Sequence, residues 1–593
     1  MNLMLEKTLK MPMRTLTASL IACSLFSFAY AQSNVVNNPL TSNADLHRQD
    51  DIQKIATITS TIDKPTVAPV YKSNQPNRIT TTLKQPTDTA RSFRWFTSEA
   101  AKMPIVLISM QSDMKNAKAY PAQASTVESH YLERDKDGFF IYKVIDDKNN
   151  VVRYFTDKGI SDITWEPKKE AKNKNEAVAI DITPVQEMIY SADIQGLSPA
   201  TTYYYQVGDQ NGELSQVGQF KTSGAEQNAF TFIQYTDTQN AYWNEHIRNE
   251  AQFGADTLHQ AQKKAPEAEF VLHTGDIVEI GEAEDEWLDL MSQSQASLLN
   301  MSFVPVPGNH DEYGLNKTDL YLNKFNDHFN VDSAGNIDGG SYYSFDYNNA
   351  HFIVLNTNDY KNKDKKALGE AQLKWLENDV KQAREKGAKW VILSYHKPLF
   401  SKSYHSLQDE DVQNVRADFM QLIDKLDIDL ALQGHDHVFS RTKSLKYADK
   451  ADSFVNAKID NAQFTYDENH YKKLISPAGT TFIIPNTGGT KAYDAIFNKP
   501  LAHIHEVRPK LNWLTQAQLD HYNNLFEIGY QPQDSARFKT KHENYRDSSD
   551  QNFAVYKIEG NQLTGEVYQV SGDLSKGESR SVKLVDKFYI EKQ

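Results

Sequence analysis

From residue 228 onward the apolar positions fall in short unbroken runs, each followed by a polar cluster. Residues 230–235, 270–272, 303–306, 390–393 and 428–432 are such runs. Runs of this length, bounded by polar clusters, predict strands. Between them the period changes. Residues 284–299 and 371–386 read as helices. In the second, Leu373, Leu376 and Val380 share one face and Gly387 serves as the C-cap. Strands alternating with helices predict an α/β unit whose polar groups gather at the carboxyl ends of the strands.

Residues 75–224 follow a different pattern, with strand-like pieces at 79–83, 92–96 and 105–108. A turn near Pro199 leads into an alternating aromatic strand through Tyr203, Tyr204, Tyr205 and Val207, followed by a strand-like 217–222. This predicts an all-β unit, and its end resembles the last two strands of a fibronectin type III sandwich. The charged stretch 112–178 has further strand-like pieces without a clear place. Residues 32–74 read as a polar linker. The tail, 550–593, alternates again and is expected to close an outer sheet of the α/β unit, which then runs over 228–593. Insertions interrupt that unit at about 443–475 and 495–550. No internal repeat is evident.

The N-terminus reads as a targeting segment over residues 1–31. Lys7, Lys10 and Arg14 precede an apolar run from Leu16, and Ala29-Tyr30-Ala31 predicts cleavage before Gln32. The run is shorter than the ~20 residues a membrane span needs. A rival reading takes Leu20-Ile21-Ala22-Cys23 as a lipobox and anchors the chain through an acylated Cys23. Cys23 is the only cysteine, so neither a disulfide nor a thiolate metal ligand is available after cleavage before Gln32. The expected location is exported, periplasmic or secreted, with membrane contact only if Cys23 is lipidated. Hydrophobic residues make up 39% of the chain, which excludes a disordered composition. The net charge is −14, and removing 1–31, with Glu6 against its three basic residues, takes it to about −16. That disfavours duplex nucleic acid as a partner.

Each predicted strand of the α/β unit ends in residues that bind cations. These are Asp237-Thr238-Gln239, Gly275-Asp276, Gly308-Asn309-His310-Asp311, His396 and Gly434-His435-Asp436-His437. Singly they are weak, because a lone Gly-Asp is usually a turn and a lone His is usually a hydrogen-bonded rim residue. Together, at successive strand ends, they predict a metal centre without sulfur ligands, suited to Mn, Fe or Zn. Two cations roughly 3.5–4 Å apart neutralise phosphoryl oxygens and acidify bound water. A shared carboxylate is what holds them that close.

This set resembles the calcineurin-like metallophosphoesterases, and the preceding β unit makes the chain similar to purple acid phosphatases. The resemblance implies a multidomain fold: an N-terminal all-β, fibronectin type III-like sandwich, then a four-layer α/β/β/α sandwich. It implies two divalent or trivalent metal ions. Asp237 and His437 would hold the first, Asp276 would bridge, and Asn309, His396 and His435 would hold the second. His310 would be the unliganded catalytic histidine, with Asp311 orienting it or a ligand, and a metal-bound hydroxide would attack phosphorus in line. Two departures matter. Gln239 stands where many members have histidine, as a weaker amide ligand or with water in its place. Glu279 stands where purple acid phosphatases have the coloured-site tyrosine, and it reads as a plain solvated acid, with a site residue as the alternative. His405 and Arg441 are candidate substrate contacts, with a loop histidine and a structural ion pair as the alternatives. Gly488 and Gly489 read either as a close approach to the site or as a simple turn.

The expected function is hydrolysis of a small phosphate ester, first a phosphomonoester. The alternatives are a phosphodiesterase or nucleotide hydrolase on the same site, and a non-catalytic surface binding protein.

Overall fold

The computed structural model describes residues 58, 60–162, 165–225, 229–244, 246–315, 323–532 and 545–593. The targeting segment, Cys23 and most of the polar linker lie outside them. Among the described residues no helix is long and apolar enough to cross a membrane.

The N-terminal unit is a sandwich of two antiparallel four-stranded sheets. One is ordered Asn77–Leu83, Ala90–Thr97, Ile182–Gln195, Gln123–Leu132; the other Gly218–Lys221, Thr202–Asp209, Pro104–Ser109, Lys118–Pro121. Alternate residues point inward. Phe93, Trp95, Val106, Tyr190, Tyr205 and Phe220 therefore form one core. The charged stretch contributes more than sandwich strands. Val151–Thr156, Ile141–Ile145 and Ala177–Ile180, with Ser60–Thr61 at the edge, make a separate small sheet. Its Phe140, Tyr142, Phe155 and Trp165 pack on Tyr242, Ile280, Ala283 and Leu315. The small sheet thus braces the loops that follow three strands of the α/β unit.

That unit has four layers. The first central sheet is ordered Ser302–Pro305, Phe270–His273, Phe230–Tyr235, Asp550–Glu559, Gln562–Ser571, Ser581–Glu591, Lys472–Ile475, Gln463–Tyr466. In the second, Ala350–Val354, Trp390–Ser394, Leu430–Leu432 and Thr481–Pro485 run parallel. The inner faces share a core of Phe232, Phe270, Phe352, Ile392, Leu430 and Tyr556. Helices Glu250–Lys264 and Glu284–Leu298 cover the outside of the first sheet, and Glu370–Glu385 and Glu410–Lys425 that of the second. Both faces of each sheet are therefore buried, which is why the strands are apolar throughout rather than alternating.

The tail does more than close a rim. Asp550–Glu559 pairs antiparallel with Phe230–Tyr235, Phe232 opposite Tyr556, deep inside the sheet. The insertion at 443–475 supplies the hairpin Gln463–Tyr466 and Lys472–Ile475 at that sheet's far edge. The 495–550 insertion supplies helices Leu501–Val507 and Gln516–Asn524 and strand Phe526–Tyr530, which joins the second sheet. A buried charge cluster joins the two units. Arg78 pairs with Glu187 at 2.6 Å and with Glu284, and Lys324 and His328 reach Glu284 at 2.9 Å.

Candidate metal centre

The carboxyl ends of Phe230–Tyr235, Phe270–His273, Ser302–Pro305, Trp390–Ser394 and Leu430–Leu432 converge. The turns they feed are tight. Asp237, Gln239, Asp276 and His435 have φ of 54°, 27°, 53° and 70°. Residues with side chains seldom adopt this region, at a cost of order 1–3 kcal/mol each, and such strain clusters at functional sites. Gly308 permits the closest approach, since a Cβ there would lie 2.0 Å from the Asp276 nitrogen.

Asp276 occupies the middle of the cluster. One of its oxygens lies 3.0 Å from His396 Nε2 and accepts from Gln239 Nε2 at 2.8 Å; the other accepts the His310 N–H at 2.9 Å. On one side, Asp237 faces His437 Nε2 at 3.2 Å. On the other, His435 Nδ1 lies 3.2 Å from His396 Nε2. Asp276, His396 and His435 bring three ligand atoms within 4.8 Å of one another, a spacing that suits a metal ion.

The histidine tautomers follow from their neighbours. His396 Nδ1 bonds the Thr274 carbonyl at 2.8 Å, and His437 Nδ1 bonds the Lys491 carbonyl at 2.7 Å. A carbonyl only accepts, so Nδ1 carries the proton and Nε2 keeps a lone pair for a ligand. His310 is fixed the same way, with Nδ1 donating to the Glu279 carbonyl at 2.7 Å. Its ring lies 4.7 Å from that of Tyr313, whose hydroxyl accepts from Asn309 Nδ2 at 2.8 Å.

The donor set fits cations. Gln239 Oε1, Asn309 Oδ1 and His437 Nε2 are buried and lack a hydrogen-bond partner within the protein. Orphaned acceptors carry a desolvation cost that a bound cation removes. The electrostatics agree. Burial would raise the Asp276 carboxyl, yet His396 and His310 hold it far below the usual range. Burial would lower His396, yet Asp276 and Asp237 pull it up to about 9, so without an ion the ring holds a proton on Nε2 toward Asp276 that a bound cation would displace. Burial, His405 and His396 push His435 down, toward the neutral form that ligates.

Other candidates are placed differently. Asp311 accepts from the Ile277, Val278 and Gly308 N–H groups at 2.7, 3.2 and 2.8 Å. It ties two strand-end loops together rather than orienting the His310 ring. Burial and the Asp276 charge raise its carboxyl to about 7. His405 lies beside the cluster, ring centroids 4.2 Å from His435, with Nδ1 2.5 Å from Asp436. Arg441 does not join. It is buried against Asp586 at 2.6 and 2.9 Å and lies over the Phe588 ring, so it serves there as a structural ion pair. Gly488 and Gly489 make the close approach rather than a simple turn: a Cβ at Gly489 would lie 2.3 Å from the Thr238 carbonyl.

Glu279 is not a solvated acid. It is 4% exposed, pairs with Arg546, and lies 3.4 Å from both Lys491 Nζ and His310 Nδ1. Burial would raise its carboxyl, but Arg546, His310 and Lys491 hold it at about 2. Arg546 also bonds Glu250 at 2.8 Å and the Gln239 carbonyl at 2.7 Å. Lys491, Arg546 and Asp409, which lies 3.4 Å from His435 Nε2, are neighbours that the strand-end pattern did not reveal. Lys491 was within reach of the same rule, because it follows the apolar strand Thr481–Pro485.

Comparison with known proteins agrees with this arrangement. Residues 230–439 match the family described as Calcineurin-like phosphoesterase, and residues 76–222 match the Purple acid Phosphatase, N-terminal domain. An uncharacterised protein of Mycobacterium tuberculosis is 23% identical over 320 residues, 50% of this chain and 58% of its own length. A probable purple acid phosphatase of Arabidopsis thaliana is 32% identical over 113 residues, 19% of this chain and 25% of its own. The chain thus spans little more than half the length of the first and a quarter of the second. In fold it is similar to a purple acid phosphatase from yellow lupin (Lupinus luteus) seeds. That likeness has a TM-score of 0.54 at 16% identity and covers 88% of this chain and 75% of the lupin one.

Proposed function

In a chain that carries a calcineurin-like phosphoesterase domain behind a purple acid phosphatase N-terminal domain, we propose that the strand-end cluster is a two-metal centre hydrolysing phosphate esters, phosphomonoesters first. The observation that carries this reading is the convergence of buried ligand atoms at the strand ends, Asp276, His396 and His435 within 4.8 Å of one another and His437 Nε2 on Asp237, with the buried acceptors Gln239 Oε1 and Asn309 Oδ1 left without a hydrogen bond.

Asp237, Gln239 and His437 would hold one ion, Asn309, His396 and His435 the other, and Asp276 both. When bound, such ions neutralise the phosphoryl oxygens and acidify water. The chain's own groups do the rest. His310, with Nδ1 engaged by the Glu279 carbonyl, keeps Nε2 for the phosphoryl group or the leaving oxygen. His405, with Nδ1 on Asp436, offers a second imidazole to the phosphate beside His435. Residues 1–31 support an exported location, where such an enzyme releases phosphate from esters outside the cytoplasm.

The test is metal analysis of the purified protein with hydrolysis of p-nitrophenyl phosphate and bis-p-nitrophenyl phosphate, before and after chelation and reloading. The expected result is about two ions per chain, activity lost and regained with them, and the monoester turned over faster. Faster diester turnover would replace the phosphomonoesterase assignment with a diesterase. No activity with Mn, Fe or Zn would return the chain to the binding-protein reading.

A further inference from the structure

The three inward-facing histidines of the second sheet differ in what holds their outer nitrogen. His396 and His437 donate to the Thr274 and Lys491 carbonyls. These acceptors are main-chain carbonyls in the segments that follow strands Phe270–His273 and Thr481–Pro485. His435 points its Nδ1 inward instead, and its Nε2 meets a side chain, Asp409 Oδ2, at 3.4 Å.

Asp409 holds the N-cap position of helix Glu410–Lys425. Aspartate there normally accepts from an N–H of the first turn, which stabilises the helix by ~1 kcal/mol. Asn249 and Thr515 do so at the starts of Glu250–Lys264 and Gln516–Asn524. Asp409 makes no such bond. Its carboxylate is turned from its own helix toward His435 and His405, whose ligand atoms lie with its own within 4.8 Å. A broken local rule beside a site marks a group recruited to that site.

We propose that Asp409 is a positioning residue for His435. Its carboxylate accepts the Nε2–H, fixes the tautomer that leaves the Nδ1 lone pair inward, and strengthens that nitrogen as a ligand. His405, held on Asp436, lies beside the pair, its ring 4.2 Å from that of His435. This inference rests on the two-metal reading above.

The experiment compares wild type, Asp409→Ala and Asp409→Asn in full-length protein. It reads Mn and Zn stoichiometry, affinity by chelator competition, the visible spectrum of the Co-substituted form, and the melting temperature without metal. Losing a carboxylate behind a ligating histidine weakens binding by about 10–100-fold. Asp409→Ala is expected to lose that much affinity for one of the two ions, with an altered Co spectrum and an unchanged metal-free melting temperature, because no cap bond is removed. Asp409→Asn keeps an acceptor oxygen and is expected to retain part of the affinity. Wild-type affinity and spectrum in Asp409→Ala overturn the proposal. So does a third ion in wild type lost only in that variant, which would make Asp409 a ligand. If wild type binds no cation, the two-metal reading falls as well; if it binds two and Asp409→Ala is indistinguishable, only this proposal falls.

Discussion

The two central sheets contribute different chemistry to the same pocket. Loops of the first sheet bring oxygens, from Asp237, Gln239, Asp276 and Asn309. Loops of the second bring ring nitrogens, from His396, His435 and His437. The oxygen side is strained and braced. Asp237, Gln239 and Asp276 have left-handed backbone, and the small N-terminal sheet and the Glu279–Arg546 pair press on their loops. On the nitrogen side His435 alone has φ above zero, and ring orientation is set by single hydrogen bonds to carbonyls or to Asp409. Carboxylates brought this close repel one another, so their loops need outside support. Imidazoles repel less and need only orientation.

Four substitutions would break or sharpen this contrast. Asp276→Ala removes the carboxylate in the middle of the cluster, and activity and metal content are expected to vanish together. Retained metal at wild-type stoichiometry would contradict the bridging role. His310→Ala takes from the oxygen side a group that is not a ligand. Metal content is expected to stay, and kcat to fall by about 10²–10⁴-fold; turnover near wild type would remove His310 from the mechanism. Glu279→Gln loosens the brace and is expected to slow turnover less than His310→Ala does. Glu279 has its folded pKa at about 2, below the ordinary glutamate value near 4.5. Its contribution, at most about 3 kcal/mol, is present above pH ~4.5 and lost as pH falls toward 2. The glutamine variant is therefore expected to lose less stability than wild type between pH 4.5 and 3 in urea titrations. An equal loss would show that other carboxylates set the acid limit. Arg441→Ala lies outside both sides. It is expected to leave kcat/KM nearly unchanged while costing about 3–5 kcal/mol of stability by stranding Asp586. A selective rise in KM would restore Arg441 as a substrate contact.

The strand-end cluster was legible because each member follows an apolar run long enough to identify its strand. The supporting groups were not. Arg546 sits in a polar stretch without periodicity, and it reaches Glu279 only because Asp550–Glu559 pairs beside Phe230–Tyr235. Asp409 looks like an ordinary helix cap in sequence. Glu279 looks solvated because nothing near it in the chain supplies its cations. The strand-like pieces of the small sheet have no evident place in the sequence because they are short and flanked by charge. In each case the missing information was a partner far away in sequence.

The strand Asp550–Glu559 also bears on how the pocket is assembled. Phe230 pairs with Ile558, more than three hundred residues later. Until residues 550–559 have been synthesised, the strand leading to Asp237 has one bare edge, and Tyr556 is missing from the core beneath it. Closing so long a loop is slow. The scaffold beneath the pocket is therefore assembled from segments more than three hundred residues apart, and the strand leading to Asp237 is paired on both edges only when residues 550–559 are in place.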